Sequence, residues 1–250
     1  DIMNARGLSV AAEDDFTRSL SGFDRSFRMR TTEAVGDEPL RAFLGEQALD
    51  FTKAEAEAWD GVMTAVAQGA RGIGRFLPGE VLVAKTTGYE ERNHAYTRGS
   101  TIFLPKLRVE QWRGDRAIYL LAHELFHVAS RASEALRDAT YAMLGFEPMT
   151  VIAPPIELDD KRMTNPDAHR LGHFLQLGER AVVPLLTCKT SLAEALGRAT
   201  VLEAAQVSLL EVDPKASVVV RDESGVPVVI QAATTAWSRR SIGRKRRRII

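Results

Sequence analysis

The stretch IYLLAHELFHVAS, residues 118–130, carries two histidines four positions apart, with a glutamate directly after the first. A helix of 3.6 residues per turn puts His123 and His127 on one face, one turn apart, so both imidazoles can grip one metal ion. Ile118, Leu121, Ala122, Leu125 and Ala129 recur at helical spacing on a separate stripe. That stripe is expected to anchor the helix in the core and turn the histidines toward a cleft. Glu124 can reach a metal-bound water, which fits a general base better than a further ligand. Histidine is scarce, five in the chain. A chance match of this kind is expected in roughly one chain in a hundred or fewer.

The surroundings suit such a helix. Two β-type runs precede it, EVLVAKT at 80–86 and AYTRGSTIFL at 95–104, the second closed by Pro105. The helix itself is expected from about residue 114 to 131, with another near 133–144. Residues 100–104 are placed to form an edge strand that holds an extended peptide beside the metal-bearing helix. Up to about Leu77 the pattern is helical, most clearly at 52–68, where Thr52 is a cap, and RGIGRFLP at 71–78 breaks it. Residues 147–167 are rich in proline and acid and read as a loop. Strands are expected at 182–186, 207–212, 217–221 and 226–231. No internal repeat supports an array fold.

A chain of 250 residues, 45% hydrophobic and 26% charged, can bury a real core and reads as one globular domain over 1–250. Its parts are a helical 1–78, a catalytic core 79–178, a β-rich 179–238 and a basic tail 239–250. No run approaches the roughly 18 apolar residues of a membrane span, and no signal-peptide pattern opens the chain. A soluble protein is expected, with the cytoplasm favoured. The start at Asp1 without methionine suggests a processed or trimmed product. Cys188, the single cysteine, excludes an intrachain disulfide and a multi-cysteine metal site, and reads as a small buried residue. Metal ligands must therefore be histidine or carboxylate. Formal charge is zero, yet seven of the 33 basic residues lie in 239–250. That tail makes nucleic-acid binding by phosphate neutralisation a rival function. It is disfavoured because no aromatic residue beyond Trp237 is interleaved for base stacking.

A catalytic zinc takes three protein ligands and keeps one position open. Asp167, in MTNPDAH at 163–169, is the first candidate for the third, although Asn-Pro-Asp is also good turn chemistry. His169 and His173 form another four-residue pair, better read as flanking or substrate-side groups near a turn into a strand. Glu134 and Glu157 are weaker ligand candidates. Tyr96 and Arg98, just before the proposed edge strand, can serve an oxyanion or a substrate carboxylate. Packing or a surface position is the commoner fate of such residues.

Residues 118–130 resemble the zincin metallopeptidases, and the chain is similar more broadly to a group of uncharacterised bacterial metallopeptidase-like proteins. The wider likeness rests on AYTRGSTIFLP at 95–105, HELFHVASR at 123–131 and TNPDA at 164–168. It implies a zincin-like α+β fold, a small mixed sheet with an edge strand beside the HExxH helix, between a helical N-terminal part and a β-rich C-terminal part. It also implies a Zn2+ cofactor on His123 and His127, Glu124 activating water, and a peptide or protein substrate. In one zincin subgroup a downstream aspartate completes the site, which suits Asp167. In another a glutamate on a later helix does so. No such helix is evident after Leu171, and the abrupt end at RRRII leaves open a ligand beyond residue 250. A zincin-type protein that binds peptides or partners without cutting them is the alternative.

Overall fold

The computed structural model describes residues 12–198 and 201–231. The basic tail, and with it the nucleic-acid reading, lies outside them. The described chain is mixed α+β. It begins with helices α1 (Asp15–Ser19), α2 (Gly22–Met29) and α3 (Asp37–Glu46), the short strand β1 (Ala48–Leu49) and helix α4 (Lys53–Gly69). Strands β2 (Leu82–Thr86), β3 (Tyr96–Arg98) and β4 (Thr101–Pro105) follow, then helices α5 (Lys106–Gln111), α6 (Gly114–Ala132) and α7 (Glu134–Met143). The rest is β-rich: β5 (Phe146–Ile152), β6 (Arg162–Met163), β7 (Leu171–Leu177) and β8 (Arg180–Cys188) precede helices α8 (Leu192–Leu196) and α9 (Val201–Ala204). Strands β9 (Ala205–Asp213), β10 (Val218–Val219) and β11 (Val229–Gln231) end it. No helix among the described residues is long and apolar enough to cross a membrane.

The first sheet runs β1-β2-β4-β3, with β4 parallel to β2 and antiparallel to β3. The expectation that residues 100–104 form the edge strand is therefore overturned. They lie between β2 and β3, every residue of β4 is buried, and the edge is Tyr96–Arg98. The cause is local. Gly99, at φ 54°, turns the chain back within the run 95–104, so Arg98 pairs with Thr101 in a hairpin with a two-residue loop. Helix α5 also intervenes before α6, and the positive φ of Gly114 marks the break between them.

The second sheet runs β10-β9-β8-β7-β5, with β11 on β9 and β6 on β8. Segment 147–167 was expected to be a loop, but β5 and β6 lie within it. Both depend on distant partners, β7 and β8, and β5 shifts register between Pro148 and Ile152. Proline in an irregular edge strand removes little ladder bonding, which is why a proline-rich stretch can still pair here.

Helix α4 begins as expected. Thr52 accepts from Glu55 N, and Glu55 accepts in return from Thr52 N at 2.8 Å. Trp59, Val62 and Val66 of α4 pack with Val83, Ile102 and Leu104 of the first sheet and with Ala117, Leu121, Leu125 and Val128 of α6. The anchoring stripe of α6 is thus shifted slightly from the expected one. Ala122 is exposed, while Ala117 and Val128 are buried.

Lys85 on β2 joins this core to α4, its Nζ donating to both oxygens of Glu55 at 2.9 and 2.8 Å. Burial raises the Glu55 pKa, but the bonds from Lys85 and Thr52 outweigh it and hold the carboxyl below its usual 4.5. A depressed folded pKa means stability present above about pH 4.5 and lost as pH falls through the folded value. Lys85→Met leaves a buried carboxylate without its cation and is expected to cost about 3 kcal/mol. Urea unfolding at pH 7 measures it. An unchanged midpoint would show that the pair contributes nothing net.

Candidate metal centre

Helix α6 presents its histidines where the expectation put them, toward open space. His123 is exposed, His127 is half-buried, and their Nε2 atoms lie 3.1 Å apart. Two nitrogens at zinc–nitrogen distances of about 2.0–2.1 Å and tetrahedral angles would lie about 3.3 Å apart, so the pair is spaced for one small dication. Glu124, between them in sequence, is buried at 3% exposed. Burial, and after it the negative charge of Asp167, push its pKa up to about 8, against the pull of Arg131. Its Oε2 is buried with no hydrogen-bond partner among the described residues. Burial also lowers the His127 pKa, as do His123 and Arg131, while Asp167 opposes them. A neutral imidazole is the form that ligates metal.

Asp167 arrives from forty residues away. One ligand atom each of Glu124, His127 and Asp167 lies within 4.8 Å of the others. His123 is not one of these three; it touches the group through His127, 3.1 Å away between Nε2 atoms. Asp167 sits on the short 3-10 turn Pro166–Ala168, whose start is capped by the Asn165 side chain accepting from Asp167 N at 3.0 Å. The turn chemistry read from the sequence is thus present together with the approach to the histidines.

Thr97 holds Asp167 directly, and Arg131, Asp24 and Arg28 brace Thr97 and the segment leading into the turn. Its Oδ1 accepts from Thr97 N at 2.8 Å and from Thr97 Oγ1 at 2.7 Å. Arg131, one turn beyond His127, donates to Thr97 Oγ1 at 2.9 Å and to Gly99 O at 2.9 Å. The edge of the first sheet is therefore already capped at Thr97. From the other side, Asp24 of α2 accepts from Thr164 N and Oγ1, both at 2.7 Å. Arg28 of α2 donates to Asp24 Oδ1, to Thr164 O and to Glu91 Oε1. The spacing of Arg131 from His127 was a usable signal. Nothing local links Asp24 to Thr164, 140 residues on.

The group stands between two cavities. One of about 700 Å3 is lined by His127, Asp167 and His169 among others. One of about 400 Å3 is lined by His123, Glu124 and, again, Asp167. Neither a protein-family model, nor a curated protein, nor a solved structure matches this chain. The site is read from its own geometry.

The other named residues fall less close to the chemistry. Tyr96 lines the smaller cavity, but it is buried on Phe103 and its hydroxyl donates to Glu90 Oε1 at 3.3 Å. Arg98 donates to Asp14 Oδ2 at 2.8 Å and to Ala12 O at 2.6 Å, tying the N-terminal segment to β3. Both make structural contacts, and Arg98 also lines the larger cavity. His169 flanks the turn, its Nδ1 3.2 Å from Pro166 O and its Nε2 buried without a partner. His173, within β7, lies 2.9 Å from Asp138 Oδ1. Glu134 pairs with Arg137 and Glu157 with Arg221, so neither joins the group.

Proposed function

We propose that the chain is a zinc-dependent peptidase in which His123, His127 and Asp167 hold the metal and Glu124 is the general base. The observation that supports this best is the convergence of Asp167, from a separate turn, on His127 and Glu124. Helix periodicity accounts for the histidine pair on its own. It does not account for a carboxylate delivered to His127 from another element.

The donor set, two imidazoles and a carboxylate, suits Zn2+. When bound, Zn2+ polarises a carbonyl, lowers the pKa of bound water to about 7 and favours the carboxylate form of a nearby acid. Glu124 takes the proton of the attacking water on Oε2, the oxygen free of partners, and can return it to the departing amine. Burial keeps that oxygen away from bulk water, so the proton stays within the site. Thr97 and Arg131 are positioning residues that fix the Asp167 carboxylate, and α2 fixes the turn behind it.

The test is direct. Protein dialysed against zinc and then against buffer should retain about one equivalent by elemental analysis and cut a mixed peptide library. A chelator should abolish cleavage and added zinc restore it. His127→Ala should lose both metal and activity. Zinc retention without cleavage would favour the alternative, a peptide-binding protein of the same architecture. No retained metal would remove the peptidase reading.

A further inference from the structure

The cavity of about 400 Å3 beside His123 and Glu124 holds a cation that the chemistry above leaves unused. Arg92 lines it and is only 8% exposed. Its Nη1 donates to Arg198 O at 2.7 Å, while Nε and Nη2 are buried without a partner among the described residues. Two other arginines of this cavity are committed. Arg28 is held by Asp24 and Glu91, and Arg108 donates to Asn93 O beneath the Trp112 ring. Arg92 has the Phe27 ring at 4.3 Å, a contact that compensates only part of a guanidinium's lost hydration. Burial and the nearby Arg30 both push its pKa down.

The residue is also rigidly placed. It belongs to a tight turn in which Asn93 N donates to Gly88 O at 2.7 Å, and Arg92 and Asn93 have φ of 50° and 61°. Gly88 cannot be replaced there, because a Cβ would lie 2.6 Å from Asn93 Oδ1 and 2.8 Å from Pro105 Cβ. Left-handed backbone at two successive non-glycine residues is costly, and it persists only where its surroundings impose it. The turn thus holds a buried guanidinium whose free N–H groups lie on one edge, that of Nε and Nη2. This is the edge that grips a carboxylate through two parallel bonds.

We propose that Arg92 receives a carboxylate of the substrate, so that the cavity beside Glu124 selects peptides carrying an acid next to the bond to be cut. The acid is either the chain's own C-terminal carboxylate or an aspartate or glutamate side chain. This deepens the peptidase reading and rests on it, but the binding it demands can be measured without turnover.

Isothermal titration of the full chain with three probes decides it: N-acetyl-trialanine with a free C-terminus, its amide, and the amide with a central glutamate. Wild type should bind an acid-bearing probe at least about tenfold more tightly than the plain amide. A preference for the first probe assigns end recognition, and one for the third assigns side-chain recognition. Arg92→Met should erase the preference, with the melting temperature recorded beside it because the variant also gives up the Nη1 bond to Arg198 O and the contact with the Phe27 ring. If that variant melts early, Arg92→Lys and Arg92→Gln provide the same comparison, the lysine keeping part of the preference. Equal affinity for all three probes, no binding at millimolar concentrations, or a preference unchanged in the variants overturns the proposal. Arg92-dependent binding without zinc-dependent cleavage would sink the peptidase reading alone. Cleavage indifferent to the acid would sink the Arg92 assignment alone.

Discussion

Replacing Glu124 by glutamine is expected to lower peptide cleavage by about a thousandfold while leaving zinc content unchanged. General-base catalysis supplies about 10^2–10^4 in rate, and with Asp167 taken up as a ligand Glu124 is the acid of the group left to accept the proton. Glutamine keeps the side-chain shape but cannot accept a proton at Oε2. The variant should not unfold. Glu124 is buried, its Oε2 has no partner, and burial alone works against its charged form. A neutral amide relieves that, so the melting temperature should hold or rise. This separates a catalytic effect from a structural one, since a residue needed for packing would lose stability and activity together. Activity, elemental zinc and thermal unfolding on one preparation give the answer. Cleavage equal to wild type would sink the role assigned to Glu124.

The parts of this site that were legible in the sequence are those whose geometry is local. His123, Glu124 and His127 fall within four residues of a strongly periodic helix, and the helix supplies the rest of their arrangement. The Thr52 cap was legible for the same reason, since a cap acts within four residues, here Thr52 to Glu55. Local signals failed where pairing decided the outcome. Residues 95–104 look like one strand because β-formers surround Gly99, yet one left-handed glycine folds them into a hairpin and moves the sheet edge from β4 to β3. Strands β5 and β6 exist only because β7 and β8 offer them partners. The chemistry of its loop puts Asp167 ahead of Glu134 and Glu157, but a plain turn accounts for it equally well. What distinguishes it is Thr97, seventy residues earlier, and α2 behind Thr164. Arg92 could not be found at all, because an unpartnered cation is defined by what the fold does not bring near it.

Asp167 has two roles that one substitution can separate, and the result bears on whether the group is a metal site. In the structure its Oδ1 accepts two bonds from Thr97 and so caps the edge of the first sheet. A ligand role requires its charge as well. Asparagine keeps an oxygen able to accept both Thr97 bonds while removing the charge, so Asp167→Asn should fold and melt as wild type. Zinc affinity should nonetheless fall by at least about a hundredfold, since even partners one step removed from a metal cost about 10–100-fold when changed. Asp167→Ala should show the same loss of zinc and also a destabilisation of about 1–3 kcal/mol, because Thr97 N–H and Oγ1 lose their acceptor in a buried setting. Competition with a chromogenic zinc chelator gives the affinities, and urea unfolding the stabilities. An asparagine variant that binds zinc as tightly as wild type would make Asp167 an edge cap only. The metal would then have to take Glu124 as its carboxylate, because Glu124 is the other acid within reach of His127. A Glu124 used as a ligand could not also be the base, so that result would remove the proposed mechanism together with the third ligand.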